Sequence, residues 1–83
     1  MMTERDSAPE LTIFARKFRE AREARGLTQM VVSSSSGVDK KHISDIERCC
    51  ANPSLAVLSK LAHAVRSDLC DLFCPGIGHR SDA

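Results

Sequence analysis

The chain is 83 residues long, the size of one small domain with room for only a small core. It has 42% hydrophobic and 28% charged residues and a formal net charge of +1, a composition typical of a globular protein. Three Phe and no Trp or Tyr argue against a β-sandwich and against an aromatic platform for stacking single-stranded bases. So short a chain also leaves little room for a deep active-site cleft with a supporting shell.

Basic residues are in excess in one part of the chain. Residues 11–48 carry eight basic and five acidic side chains, a local excess of +3. Such a local excess is expected of a protein with one DNA-facing side. Taken alone, however, the charge favours the interpretation as a solvated helix face. No apolar run approaches the roughly 18 residues that span a bilayer, and the first ten residues contain no hydrophobic segment of a secretory signal. We therefore expect a cytoplasmic protein without a membrane partner, whose four cysteines are reduced.

The apolar spacing is helical throughout, and no stretch alternates with a period of two. A Ser-x-x-Glu capping box at residues 7–10 predicts the start of the first helix, and Gly26 predicts its end. One face of this helix carries Phe14, Phe18, Ala21 and Arg25. Thr28 is predicted to cap a second helix over residues 29–35, and Asp39 a third that runs to residue 48.

Two further helices are predicted after the third. Ser54 caps a fourth helix, whose buried stripe is expected to contain Leu55, Leu58, Leu61, Ala62 and Val65. A fifth covers residues 68–73 before Pro75-Gly76 stops it. Five short helices with tight connections predict an all-α bundle. We divide the chain into a flexible N-terminal arm (1–10), one domain (11–75) and a flexible C-terminal tail (76–83).

Several short strings carry the most specific signal in the sequence. Two short helices joined by a Gly-containing turn fit the helix-turn-helix plan. In chain order the strings are Gly26-Leu27-Thr28-Gln29, Ser36-Gly37-Val38, Ile43-Ser44-Asp45-Ile46-Glu47-Arg48, Asn52-Pro53-Ser54-Leu55, Leu58 with Leu61-Ala62, and Leu72-Phe73. Over residues 11–73 the chain resembles the Cro/C1-type (XRE) helix-turn-helix family of phage repressors, restriction-modification controller proteins and other bacterial regulators. The resemblance implies a five-helix, lambda-repressor-like DNA-binding domain.

The resemblance also implies roles for individual positions. Arg22 on helix 1 would form an ion pair with Glu47 at the end of helix 3. The side chains that would read bases are Asp39, Lys40, Lys41, His42 and Asp45. Those that would contact the DNA backbone are Thr28, Gln29, Ser44, Arg48 and Asn52. Lysine donates to guanine O6 and N7 or to phosphate, so Lys40 and Lys41 suit either contact. Lys40 is the first choice for a base contact because the resemblance to controller proteins implies a basic residue at its position. Asp45 either accepts from cytosine N4 or orients a neighbouring lysine.

Some positions depart from the family pattern. The family usually has Gly where this chain has Cys49 and Arg66. Because those glycines adopt φ > 0, either the local turns differ here or each residue carries a strain of roughly 1 kcal/mol. Met30 and Val31 replace exposed polar residues, and are either scattered surface hydrophobes or a pair that faces a partner.

The cysteines do not form a metal-site pattern. Cys49-Cys50 and Cys70-x-x-x-Cys74 lack the Cys-x-x-Cys pairs of zinc ribbons and fingers. We expect bystander thiols, with a redox switch as the alternative, and no metal or other cofactor. The sequence has no Ser/His/Asp arrangement, Gly-rich phosphate loop or paired-carboxylate spacing, so we do not expect an enzyme.

Two functional hypotheses follow. The first is a transcription regulator that binds double-stranded DNA as a homodimer on a pseudo-palindromic operator, because one short helix reads too few base pairs. The predicted dimer interface consists of Leu69, Phe73, Cys74, Pro75 and Ile77, although Leu69 and Phe73 could instead close the core of the monomer. RNA polymerase is a further candidate partner. The second hypothesis is a protein-interaction module on the same fold, such as an antitoxin or adaptor, but Lys40-Lys41 favours the first.

Overall fold

The computed structural model describes residues 9–73, which form five α-helices and no strand. In chain order the helices are α1 (Pro9–Ala24), α2 (Gln29–Ser36), α3 (Lys40–Glu47), α4 (Leu55–Ala64) and α5 (Leu69–Phe73). The all-α prediction is confirmed. Because α1 begins at Pro9, the last two residues assigned to the N-terminal arm belong to this helix. No helix within residues 9–73 has the length and apolar character that crossing a membrane requires.

Side-chain caps set the starts of α2, α3 and α4. The Thr28 hydroxyl accepts from the backbone N–H three residues later, at 3.1 Å. The Asp39 carboxylate accepts from the N–H two residues later at 3.1 Å, and the Ser54 hydroxyl from the N–H three residues later at 3.2 Å. Each cap satisfies an N–H group that the first helical turn leaves without a partner. The three predicted caps are therefore confirmed.

A residue in the left-handed backbone region follows each of four helices. Gly26 (φ 70°) and Gly37 (φ 80°) end α1 and α2, whereas Cys49 (φ 60°) and Arg66 (φ 59°) follow α3 and α4. After α1, α3 and α4, the next N–H donates to a carbonyl five residues earlier, at 3.0, 2.7 and 2.9 Å, which is the bond of a Schellman motif. The turns at Cys49 and Arg66 thus keep the glycine-type geometry, and these two residues adopt it at a steric cost.

Apolar side chains of all five helices meet in one core. α1 packs against α3 and α5, α2 against α3 and α4, and α4 against α5. The Phe14 and Phe18 rings stack inside it with centroids 5.7 Å apart. Its completely buried members are Phe14, Phe18, Val32, Ile43, Ile46, Leu61, Ala62 and Val65. The helix-turn-helix pair is therefore fixed from behind by α1 and α4.

The prediction that Leu55 belongs to the buried stripe of α4 is wrong. Leu55 is 66% exposed, whereas Leu58, one turn later, is 6% exposed. Helical side chains tilt towards the N-terminus, so the first residue of a helix projects beyond the helix rather than over its own packing surface. The core contacts of α4 accordingly begin one turn after its start.

Arg25 connects the end of α1 to the end of α4. Its Nε donates to the Val65 carbonyl at 2.5 Å, and its Nη2 donates to the Arg66 carbonyl at 3.4 Å. A guanidinium group at this place bonds carbonyls that the last turn leaves open and lies at the negative end of the helix dipole. Arg25 therefore reaches across the domain, and its side chain is not part of the core.

α5 closes the bundle against α1. The Phe73 ring lies 5.4 Å from the Phe14 ring at an angle of 43°. Leu69 and Phe73 are partly buried and pack against the core, and Leu72 between them is buried. Leu69 and Phe73, which are predicted interface residues, thus each pack part of their surface against the core of the monomer. The rest of their surface is accessible. The other predicted interface residues, Cys74, Pro75 and Ile77, lie outside the described residues.

Candidate nucleic-acid interface

A nearly buried ion pair holds α3 against α1. Arg22 Nε donates to Glu47 Oε2 at 2.8 Å, and Arg22 Nη2 donates to Glu47 Oε1 at 3.1 Å. The side chains are only 11% and 6% exposed. Two parallel bonds between guanidinium and carboxylate fix both distance and orientation. This is the pair that the resemblance implied.

Two further bonds extend the ion pair to α2. Arg22 Nη1 donates to the Leu27 carbonyl at 2.9 Å, in the connection between α1 and α2. The Gln29 amide donates to Glu47 Oε1 at 3.2 Å from the first position of α2. The same carboxylate therefore binds side chains from α1 and α2. This network positions the start of α2 and the end of α3 relative to each other.

A tight turn joins α2 to α3. The Gly37 N–H donates to the Ser33 carbonyl at 2.9 Å, and the Ser36 hydroxyl accepts from the Val38 N–H at 3.1 Å. Gly37 has the left-handed conformation that glycine adopts without steric cost. Val38 is buried, so the turn itself is attached to the core. The two helices form a helix-turn-helix unit whose turn is packed against the core.

The buried face of α3 fixes which side chains point outward. Ile43 and Ile46 are completely buried. The side chains left on the outer surface are those of Lys40, Lys41 and Arg48, which are exposed, and His42, Ser44 and Asp45, which are half-buried. With the exposed cap Asp39 before them, they form one continuous surface, which we call the α3 face.

Asp45 lies between two cations on the α3 face. Its carboxylate accepts from Lys41 Nζ at 3.4 Å, one turn earlier, and from Arg48 Nη2, one turn later. Arg48 Nε also donates to the Ser44 carbonyl at 3.3 Å, so its guanidinium is folded back along the helix. The hydrogen bond from Arg48 lowers the pKa of the Asp45 carboxyl. Lys41 lowers this pKa as well, whereas partial desolvation of the carboxyl acts in the opposite direction.

Of the predicted backbone-contact residues, Ser44 and Arg48 belong to the α3 face, and the other three lie before α2, at its start and after α3. Thr28 and Asn52 are exposed, in the connection before α2 and in the connection between α3 and α4. The Gln29 side chain is directed towards Glu47, and sequence reasoning missed this bond. The two residues are 18 positions apart, and no local pattern indicates their contact. Met30 and Val31 are 59% and 48% exposed on α2.

The arrangement defines a class of protein. A capped helix-turn-helix unit whose second helix presents exposed cations is the structure of a DNA-binding domain. Within the described part of the chain, no group of three or more His, Cys, Asp and Glu side chains could hold a metal ion.

The chain belongs to the helix-turn-helix family, because the model of the helix-turn-helix domain matches residues 13–72. No curated protein sequence matches it significantly. Among solved structures, the restriction-modification controller protein C.AhdI from Aeromonas hydrophila is 35% identical, with a TM-score of 0.73 over 80% of this chain and 100% of that one. The hypothetical transcription factor NHTF from Neisseria is 25% identical, with a TM-score of 0.75 over 90% and 83%.

A further neighbour shares the fold. The controller protein C.Esp1396I, solved as a tetramer in complex with its natural 35 base-pair operator, is 23% identical, with a TM-score of 0.72 over 80% of this chain and 87% of that one. These neighbours are helix-turn-helix regulators of the XRE type, which confirms the resemblance seen in the sequence. The family and the fold are those of DNA-binding regulators, which are not enzymes.

Proposed function

We propose that the protein is a sequence-specific transcription regulator that binds double-stranded DNA as a homodimer on a pseudo-palindromic operator. The observation that carries this proposal is the α3 face, an outward surface with three cations on a helix that the core and the Arg22–Glu47 pair hold in place. A preorganised helix loses little conformational freedom on binding, so its contacts contribute to affinity.

The length of α3 limits what one subunit reads. Eight residues correspond to about 12 Å of helix, which matches roughly four base pairs along the groove. Lys40 is the main base-reading residue, since it is exposed near the N-terminus of α3 and no ion pair holds it within residues 9–73. The other side chains facing the groove are Asp39, Lys41, His42 and Asp45.

The edges of the surface position the helix on the DNA backbone. Thr28 bonds the Val31 N–H, and the other N–H groups of the first turn of α2 have no partner within the helix, so the helix dipole favours a phosphate there. Gln29 contributes its backbone N–H there, since its side chain is bonded to Glu47. Ser44, Arg48 and Asn52 make the remaining backbone contacts. These contacts fix the register of α3 and carry no sequence information.

A homodimer doubles the number of base pairs that are read. The proposed interface consists of the accessible parts of Leu69 and Phe73 together with Cys74, Pro75 and Ile77. A controller protein of the same fold is bound to its operator as a tetramer, which is consistent with assembly on DNA. The two α3 helices would lie about 34 Å apart, over half-sites roughly 10 base pairs from centre to centre. RNA polymerase is a candidate partner of the bound dimer.

In vitro selection from random duplex DNA, followed by footprinting, tests the proposal. We expect a pseudo-palindromic consensus and two protected major grooves on one face of the duplex. Lys40→Ala should weaken binding to this site about 5- to 150-fold and relax the preference at one base pair per half-site. Lys60→Ala on α4 is the charge-matched control, and it should leave the preference unchanged.

Two results would contradict the proposal. Selection that yields no consensus would exclude sequence-specific binding and favour the protein-interaction module. A monomer in sedimentation at micromolar concentration, together with a single asymmetric footprint, would exclude the homodimer while leaving DNA binding in place.

A further inference from the structure

We propose that Asp45 is a specificity-determining positioning residue, whose carboxylate holds Lys41 and Arg48 along α3 and thereby weakens binding to DNA of arbitrary sequence. The inference rests on the proposed function, because it concerns how the α3 face distinguishes an operator from other duplex DNA. It assigns to Asp45 an action through its two neighbours rather than a contact with a base.

The geometry brings one anion between two cations. Lys41 and Arg48 stand four residues before and three residues after Asp45, so all three side chains share one side of the helix. The Asp45 side chain is 23% exposed, whereas Lys41 and Arg48 are 79% and 62% exposed. The carboxylate therefore lies close to the helix, and the long cationic side chains bend towards it.

The balance of charge along α3 shows why the Asp45 carboxylate matters for DNA binding. Residues 39–48 carry three cations, Lys40, Lys41 and Arg48, and an equal number of anions, Asp39, Asp45 and Glu47. Glu47 is paired with Arg22 behind the helix, and Asp39 accepts the capping N–H of α3. Asp45 is thus the anion that forms ion pairs with cations of the outer surface. With Asp45 neutralised, Lys41 and Arg48 would contact phosphates without first giving up an ion pair.

Competition between Asp45 and phosphates explains how specificity would arise. Binding to arbitrary DNA depends almost wholly on cations that neutralise phosphates and release counterions. A cation held by Asp45 must give up that pair before it can contribute, so arbitrary DNA is bound more weakly. On an operator the same ion pairs with Asp45 must break. Base contacts made in a fixed register compensate there for the binding energy that this costs. Asp45 therefore increases the ratio of operator affinity to random-DNA affinity.

The test measures operator and random-duplex affinity against salt concentration for the wild-type protein and Asp45→Asn. We expect Asp45→Asn to bind random duplex about 3- to 10-fold more tightly near 100 mM salt and to lose specificity by a similar factor. The slope of log affinity against log salt on random DNA should steepen by about 0.9–1.8, the contribution of one or two additional phosphate contacts. Asp45→Glu keeps the anion and should restore the wild-type slope.

Glu20→Gln is the matched control. Glu20 forms an ion pair with Arg16, four residues earlier, at 3.9 Å on α1, so this variant changes the net charge by the same amount outside the α3 face. Equal slopes for Asp45→Asn and Glu20→Gln would overturn the proposal, because the effect would then be one of overall charge. Weaker operator binding without any gain on random DNA would also overturn it, since Asp45 would then read a base.

Two measurements keep the outcome interpretable. Thermal melting of each variant establishes that it is folded, and Asp45→Ser replaces Asp45→Asn if the latter does not fold. Failure of the wild-type protein to bind any duplex DNA would contradict the proposed function itself. Sequence-specific wild-type binding with an unchanged slope in Asp45→Asn would contradict the role of Asp45 alone.

Discussion

Replacing Arg66 by Gly is expected to stabilise the protein, although it removes a charged surface side chain. Arg66 has φ 59°, and the N–H groups of Arg66 and of the next residue bond carbonyls of α4 at 3.0 and 2.9 Å, so the turn is fixed. The left-handed conformation costs a non-glycine residue about 1–2 kcal/mol, and glycine costs about 0.5–1 kcal/mol in backbone entropy. At the middle of both ranges the net gain in the free energy of unfolding is about 0.75 kcal/mol, or roughly 3–6 °C in Tm.

Cys49→Gly, at φ 60°, removes the same strain but also a half-buried side chain, so its gain in urea and thermal unfolding should be smaller than that of Arg66→Gly. Since Cys49 and Arg66 follow different helices, the double variant should add the two effects. Arg66→Ala separates strain from charge, because it removes the charge and keeps the strain.

The opposite change, Gly37→Ala, should cost about 1 kcal/mol. An added Cβ at Gly37 meets no atom within 4 Å, so this loss would be purely conformational.

Cys50→Gly is the neighbouring control. Cys50 is not among the residues with positive φ, so glycine there should lower the free energy of unfolding by about 0.5–1 kcal/mol. If Arg66→Gly and Cys49→Gly lose stability as Cys50→Gly does, the reasoning is refuted. The turns would then lack the left-handed geometry, or the replaced side chains would contribute more than the strain removes.

Three further perturbations test other parts of the structure. Arg22→Ala or Glu47→Ala should each cost roughly 3 kcal/mol in denaturant unfolding, because each leaves a nearly buried charge without its partner; near-zero losses in both would contradict this. Phe73→Ala should cost about 2 kcal/mol at protein concentrations where the wild type is monomeric, and no loss there would mean that the ring does not close the core. By NMR titration, Asp45 should have a pKa below its ordinary 3.8, and Arg48→Met should raise it towards that value. Since the folded-state pKa is the lowered one, the stabilisation is present above the ordinary pKa and is lost as the pH falls through the lowered one.

Helix positions and caps follow from interactions between residues that are close in sequence. Thr28, Asp39 and Ser54 bond backbone N–H groups two or three residues away, and the apolar spacing repeats within four residues. All residues that take part in such interactions lie within a short segment. The five helices and the helix-turn-helix arrangement could therefore be predicted from the sequence. The likeness to a known family added the Arg22–Glu47 pair, which lies 25 residues apart and which spacing alone does not indicate.

Only the tertiary structure decided which side chains lie at the edges of the packed helices. Leu55 has the periodicity of a core residue and is exposed, because its helix begins beyond its neighbours. Gln29 bonds Glu47 across 18 residues, and Arg25 bonds the end of α4 across 40 and 41 residues. These contacts depend on how whole helices are placed relative to one another, and that placement is a property of the assembled core rather than of any segment.

The turns at Cys49 and Arg66 show the same division. The sequence marks both as positions where glycine is usual, but it leaves open whether the backbone changes or the residue accepts strain. Packing in the core determines which of the two occurs. Ile46, before the turn at Cys49, and Val65, before the turn at Arg66, are both completely buried. Altering either turn would redirect the chain away from a packed helix end, which costs more than a left-handed side chain. The backbone therefore keeps its path, and the two residues carry the strain.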